Sequence, residues 1–246
     1  MLGTLDKLPL EILHMILSQL DFHSLSPITQ TCFRGISVVE SLPEYRALMK
    51  YAPETLTALG SARLIHYHSA KKLFASLTSS RCWSCGAYGA YLHLPTCFRC
   101  CYRCHDRNQS LWVLPLAQAS TAFGLPMSTI TQKLPVMRNL PRPYSFGSPR
   151  IRQRRNELVG IRAAKELALH EGKIEDGFAR LLRNIRGESS WHDYYITRWA
   201  QRASIHPPLK RLPVYQSDED CAHDRFCGMA SIPFPSLSGW NTAFGV

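Results

Sequence analysis

CWSCGAYGAYLHLPTCFRCCYRC, residues 82–104, contains six of the nine cysteines in this chain of 246 residues. Cys82 and Cys85 form one CxxC pair, and Cys101 and Cys104 form another after a gap of fifteen residues. A CxxC turn aims two thiolates at one point, and two such turns together supply the four tetrahedral sulfurs that zinc prefers. This stretch therefore predicts a structural Zn²⁺ site. Four sulfur ligands leave no open coordination position for catalysis.

A third pair with the same spacing, Cys97 and Cys100, overlaps the second pair and leaves the choice of ligands open. With this pair the gap shrinks to eleven residues. The longer gap leaves room for a hairpin suggested by residues 88–94, which favours Cys101 and Cys104 as ligands. Cys97, Cys100 and His105 stay as alternates. Gly86 follows the first pair directly, where it allows the backbone to fold back toward the sulfurs.

The other three cysteines carry a weaker signal. Cys32 falls on an apolar helical stripe with Leu25 and Ile28, which predicts a core residue. Cys221 and Cys227, with His223 between them, make at most half of a second metal site. The clustered cysteines are interpreted as metal ligands, because the chain shows no signal-peptide pattern and disulfides are rare in reducing compartments.

Hydrophobic spacing outside residues 82–104 predicts a mainly α protein: an N-terminal three-helix unit, further helices, a small zinc-bound β-knuckle and a C-terminal helical hairpin with an irregular tail. The first helix has apolar residues at helical spacing from Leu8 to Leu20. A second helix is expected with Ser24 as its cap, and Pro43 opens a third that ends at Pro53. Further helices are predicted around 70–77, 116–123, 161–168 and 178–185, while the prolines between 126 and 149 predict an extended or looped connector.

The predicted division of the chain has four parts. Residues 1–50 form the first helical domain, and 51–125 contain helices plus the cysteine cluster at 82–105. A connector rich in proline and arginine covers 126–156. Residues 157–246 form a helical region with an irregular tail, which is the expected target-binding part.

The charge balance permits several partners. The chain carries 29 Lys and Arg residues against 18 Asp and Glu residues, a formal net charge of +11. That excess is compatible with nucleic acid, anionic membrane or acidic protein surfaces. The sequence lacks a run of 18 apolar residues, so no membrane span is expected. The chain is expected to be intracellular, in the cytoplasm, the nucleus or both.

The N-terminal segment resembles the F-box motif over about residues 4–47. The resemblance rests on Leu8-Pro9-x-Glu11-Ile12-Leu13-x-x-Ile16-Leu17-x-x-Leu20, followed by Thr31-Cys32-Phe33-Arg34. The family implies a three-helix bundle that docks on the adaptor subunit of a cullin-RING ubiquitin ligase. Carried over by position, the docking face would be formed or supported by Leu8, Pro9, Ile12, Leu13, Ile16, Leu20, Leu25 and Ile28. The sequence departs from the family after Thr31, where Phe33-Arg34-Gly35 replaces the commoner basic and aromatic run of the third helix of the motif.

The remaining chain looks like a group of fungal F-box proteins with a cysteine-rich knuckle after the F-box. The residues that carry this likeness are the cysteine cluster, Ala122-Phe123-Gly124-Leu125 and Met229-Ala230-Ser231-Ile232-Pro233-Phe234-Pro235. In that group a further cysteine pair often follows the last motif. Residues 239–246 contain none, so an incomplete second metal site or an altered C-terminus is expected.

Three classes of function compete at this point. The first is an F-box substrate receptor, a non-catalytic subunit that presents an unknown protein substrate for ubiquitination. The second is a basic, zinc-stabilised nucleic-acid-binding or general interaction protein, suggested by Arg150, Arg152, Arg154, Arg155 and the aromatic residues near the cysteines. An enzyme is the third, but the sequence has no phosphate-binding glycine loop, GxSxG elbow or HExxH helix. Trp191, Tyr194, Tyr195 and Trp199 are expected in the core; if exposed, they would be a target-binding patch.

Overall fold

The computed structural model describes residues 3–140, 156–173 and 230–237. This part of the chain is mainly helical and contains two small antiparallel sheets, which confirms the mainly α prediction. None of the helices in these ranges is long and apolar enough to cross a membrane. The helix predicted around 178–185, the residues Trp191, Tyr194, Tyr195 and Trp199, and the arginines at 150–155 lie outside the described residues. So do Cys221, His223 and Cys227.

Ten α-helices are described: α1 (Leu10–Leu17), α2 (Phe22–Thr31), α3 (Phe33–Ser41), α4 (Pro43–Tyr51), α5 (Pro53–Ser61), α6 (Ala70–Thr78), α7 (Tyr102–Arg107), α8 (Leu116–Phe123), α9 (Met127–Lys133) and α10 (Ile161–His170). Short 3₁₀ helices span Gly3–Lys7, Ile65–Tyr67 and Gln109–Leu111. The helices predicted around 70–77, 116–123 and 161–168 are present, and the helix predicted from Leu8 to Leu20 is present over the shorter range Leu10–Leu17.

Several predictions about the helices were wrong in detail. Helix α2 is capped by Asp21, whose side chain accepts a hydrogen bond from the Ser24 backbone amide at 2.9 Å, so Ser24 is not the cap. Cys32 is half-buried and extended between α2 and α3, because α2 ends at Thr31 before its apolar stripe reaches that residue. It is therefore not a core residue.

Two prolines that were interpreted as breaks lie at the starts of helices. Pro53 opens α5, and Pro126 lies directly before α9, inside the stretch predicted to be a loop. Proline is tolerated at the start of a helix because the first amides have no intrahelical acceptor. Each proline therefore ends one segment and starts a helix.

The first sheet has the strand order β2-β1-β6, formed by β1 (Tyr91–His93), β2 (Phe98–Cys100) and β6 (Ser231–Pro233). In its register, Leu92 lies opposite both Arg99 and Ile232. The second sheet has the order β3-β5-β4, formed by β3 (Val113–Pro115), β4 (Val136–Arg138) and β5 (Glu157–Gly160). A strand from the far C-terminal part of the chain thus completes the cysteine-rich hairpin.

One apolar core joins the N-terminal helices to this first sheet. It includes Leu25, Leu48 and Leu77 from the helices and Leu92 and Ile232 from the strands. A second cluster, around Trp112 and Phe123, lies between α8, α9, α10 and the second sheet. The hairpin therefore rests on apolar packing as well as on its cysteines.

Candidate metal centre

Four thiols converge on one point at the end of the hairpin. The Sγ atoms of Cys82, Cys85, Cys101 and Cys104 all lie within 4.8 Å of one another, and those of Cys85 and Cys101 are 3.6 Å apart. In a tetrahedral zinc site with Zn–S bonds near 2.3 Å, neighbouring sulfurs are separated by about 3.8 Å. The donor set and its spacing therefore fit a tetrahedral metal ion.

The first CxxC pair sits in a tight turn. The Gly86 amide donates to the Cys82 carbonyl at 2.9 Å, and the Cys82 amide donates to the Ala87 carbonyl at 2.6 Å. Gly86 has a φ of +74°, in the left-handed region that glycine adopts without strain. This geometry agrees with the role that the sequence predicts for Gly86.

The second pair opens a helix. Cys101 is the N-cap of α7, and its Sγ accepts a hydrogen bond from the Cys104 backbone amide at 3.4 Å. Residues three apart in the first helical turn face the same side, so both sulfurs point at the same place. An amide that donates to a sulfur also favours the thiolate form that binds metal.

Cys97 and Cys100 do not join this group. Cys97 lies in the turn before strand β2 with a left-handed φ of +56°, and Cys100 is the last residue of that strand. Cys97 is completely buried among the apolar residues of the main core, and Cys100 is buried beside the site with Cys82 and Cys104. Burial raises the pKa of the Cys97 thiol, and it raises the pKa of Cys100 to about 12.

His105, the remaining alternate, is also buried near the four thiols but outside their group. Its ring lies 6.4 Å from the ring of Tyr91, measured between centroids. Among the residues that the structure describes, Cys82, Cys85, Cys101 and Cys104 form the single group of three or more potential ligands that could hold a metal ion.

The four thiols differ in their electrostatic environment. Burial raises the pKa of Cys101 and Cys104 above the usual thiol value. Burial also acts to raise the pKa of Cys85, but hydrogen bonds from the Ala87 backbone and the neighbouring thiols outweigh it and lower that pKa. Four thiolates this close repel one another, and a bound divalent cation would offset the repulsion.

Two polar residues at the site carry no sequence signal. The Asn108 side chain donates to the Ser84 hydroxyl at 2.7 Å, which links the segment after α7 to the first CxxC turn. Arg99 is buried in strand β2 and donates to backbone carbonyls of Ser76, Gly89, Phe234 and Pro235. A single arginine or asparagine has no distinguishing pattern, since its partners are set by the tertiary fold.

The residues predicted to form the docking face differ in their exposure to solvent. Ile12 and Ile16 are 41% and 44% exposed, and Pro9 is exposed as well. Leu8, Leu20 and Ile28 are half-buried. Leu13 and Leu25 are buried in the main core, so they can support a docking face but cannot contact a partner.

Comparisons with known proteins add no relative on which to base an assignment. No protein-family model, curated protein or solved structure matches this chain.

Proposed function

We propose that this chain is a zinc-stabilised F-box substrate receptor, which docks on the adaptor subunit of a cullin-RING ubiquitin ligase through α1. The observation that carries the proposal is the apolar surface of this helix. Four of its eight residues are large apolar side chains at least 41% exposed: Leu10, Ile12, Met15 and Ile16. Ile12, Met15 and Ile16 are spaced i, i+3 and i+4, so they share one face of α1, and exposed apolar surface of this kind is typical of an interaction site.

The packing of α1 supports this assignment. The Asp6 carboxylate and the Arg34 guanidinium form an ion pair at 2.8 Å, and His14 and Ser41 lie at hydrogen-bond distance, 2.9 Å. The first contact joins the start of α3 to the segment before α1, and the second joins the end of α3 to α1 itself. The two helices therefore lie side by side and run in the same direction. Leu13 and Leu17 fill the core, so Ile12 and Ile16 remain on the solvent side.

The zinc site has a structural role in the proposed function. Its four ligands are all thiols, which is a set typical of closed structural sites. The site adjoins β2, which pairs with β1, and Leu92 of β1 packs on the same core as the N-terminal helices. A metal there would hold the knuckle rigid beside the docking domain. Catalysis would belong to other subunits of the ligase.

The test is co-purification of the chain with the ligase adaptor subunit, with metal content measured on the same sample. A stoichiometric complex that contains about one zinc per chain is expected. Replacing both Ile12 and Ile16 with Glu should weaken adaptor binding at least about 100-fold, because two charges would be buried in an apolar interface.

Met127→Glu is the matched control, since Met127 is 52% exposed on α9. It should bind the adaptor like the wild type. A folded chain that retains zinc but does not bind the adaptor would overturn the receptor assignment and leave the metal assignment intact.

A second candidate function is binding of single-stranded nucleic acid by the knuckle. Trp83, Tyr88 and Tyr102 are 40%, 65% and 61% exposed, and Arg81 and Arg103 are exposed as well. Bases stack on exposed aromatic rings while arginines neutralise phosphates. This candidate requires a dissociation constant that rises steeply with salt concentration; a flat salt dependence would exclude it.

A further inference from the structure

The four thiols of the metal centre are unequally accessible. Cys82 and Cys104 are 3% and 1% exposed, whereas Cys85 is exposed and Cys101 is half-buried. Oxidants in solution react with thiolates that they can reach. An oxidant in solution therefore reaches the sulfur of Cys85 more easily than those of Cys82 and Cys104.

The two accessible sulfurs are also neighbours. The Sγ atoms of Cys85 and Cys101 lie 3.6 Å apart, and a disulfide needs about 2.05 Å. Closing that gap takes a shift of about 1.5 Å, shared between the two residues. Cys85 lies in an exposed turn, where a small movement disturbs no core packing.

We propose that Cys85 and Cys101 are an oxidisable pair through which a hydroperoxide opens the metal centre. This proposal rests on the zinc site of the proposed function. The Cys85 thiolate attacks the peroxide oxygen, so that an S–O bond forms, the O–O bond breaks and hydroxide leaves. The Cys101 thiolate then attacks the Cys85 sulfur, so that the S–S bond forms and the second hydroxide leaves.

The balance is one disulfide and two waters from two thiolates, one hydrogen peroxide and two protons. The two sulfurs lose two electrons and the peroxide gains them. Only Cys82 and Cys104 then keep thiolates at the site, which is too few to retain a tetrahedral ion. Oxidation therefore releases the metal and loosens the knuckle, and a thiol reductant reverses the step.

The test uses the full chain with its zinc content measured first. Hydrogen peroxide is added in the presence of a zinc-binding dye, and about one zinc per chain should be released. Peptide mapping without reductant should then show the tryptic peptide 82–99 joined to peptide 100–103. Fragmentation distinguishes Cys101 from Cys100 in the second peptide.

Two variants sharpen the result. Cys85→His replaces the accessible sulfur with an imidazole, which can hold zinc but cannot form a disulfide, so release should be at least about tenfold slower. Cys32→Ser removes a half-buried thiol outside the group and should release zinc at the wild-type rate. If Cys85→His fails to bind zinc, Cys101→His serves the same purpose.

The outcomes separate this proposal from the one on which it rests. Absence of zinc before peroxide is added would contradict the metal site itself. Zinc that stays bound during oxidation would overturn the redox proposal alone. Release accompanied by a Cys82–Cys85 or Cys101–Cys104 disulfide would also overturn it.

Discussion

The Arg99 guanidinium donates a hydrogen bond at 3.1 Å to the backbone carbonyl of Phe234, which lies 135 residues later in the chain. The same side chain donates to the Gly89 carbonyl at 2.6 Å, and its guanidinium carbon lies 4.8 Å from the centre of the Phe234 ring. Arg99 therefore fastens the C-terminal strand β6 to the hairpin that carries the metal ligands.

Removing this guanidinium should detach the C-terminal segment. Arg99→Met leaves several buried carbonyls without a donor and should lower the free energy of unfolding by at least about 3 kcal/mol. Urea denaturation measures that loss, and limited proteolysis should show faster cleavage near 230–237. Arg138→Met is the matched control, because the Arg138–Glu157 pair is half-exposed and 3.8 Å long. It should cost less than about 1 kcal/mol, and an equal loss in both variants would refute the role of Arg99.

Adjacent cysteines should differ in their effect on metal content. Cys101→Ser removes one sulfur of the four-thiol group and should reduce bound zinc from about one per chain to nearly none. Cys100→Ser changes a buried thiol outside the group, so this variant should keep its bound zinc. Elemental analysis of the purified variants measures the difference. The opposite pattern would assign the ligands to the overlapping pair Cys97 and Cys100.

Acid should destabilise the fold through two buried histidines. Burial lowers the pKa of His68 to about 4 and that of His93 to about 3. Because both values lie below the unfolded value near 6.5, the unfolded chain takes up protons first. Their contribution to stability is complete above about pH 6.5 and is lost as the pH falls toward 4 and then 3.

The contribution of His68 can be isolated by substitution. His68→Gln should reduce the slope of the unfolding free energy against pH by up to about 1.4 kcal/mol per pH unit between pH 4 and 6. Urea titrations at a series of pH values measure that slope, with zinc content followed in parallel because acid also protonates the thiols. His66→Gln removes an exposed histidine two residues away and is the control. Equal slopes in the wild type and His68→Gln would exclude a contribution from His68.

The crossing of α2 and α3 should not tolerate a side chain at Gly35. A Cβ at this position would lie 2.3 Å from the Ile28 carbonyl oxygen, so the backbone would have to move. We expect Gly35→Ala to cost about 2–3 kcal/mol in a thermal or chemical unfolding experiment. At Gly60, in helix α5, an added Cβ would meet no neighbouring atom within 4 Å. Gly60→Ala should therefore be neutral, or should stabilise the fold by up to about 1 kcal/mol. Similar effects at both positions would show that the contact at Gly35 is not tight.

Local patterns predicted the helices whose apolar positions repeat regularly. Helices α1, α4, α6, α8 and α10 follow this spacing, and the structure confirms each of them. Helix α3 was missed because Gly35, Val38 and Val39 have weak helix propensity. Packing against α2 stabilises that helix, and packing is not visible in a local window.

The hairpin was predicted from residues 88–94, but this stretch supplies only strand β1. Strand β2 follows at Phe98–Cys100, and the third strand comes from Ser231–Pro233. The sequence motif at 229–235 indicated a likeness to a group of proteins, not a pairing with Tyr91–His93. Pairing between strands so distant in sequence depends on the closed core and leaves no periodic signal.

The sequence by itself determined that this protein has a cysteine knuckle and amphipathic helices, since CxxC spacing and helical periodicity are local properties of the chain. Only the tertiary structure decided which cysteines converge. Cys101 and Cys104 share one face of a helical turn, whereas Cys97 precedes strand β2 and Cys100 ends it, so these two do not join the group. The tertiary structure also determines that Arg99 binds the segment that follows strand β6. The hydrogen-bond acceptors of a buried guanidinium are the carbonyls that the fold places near it, and the sequence does not specify them.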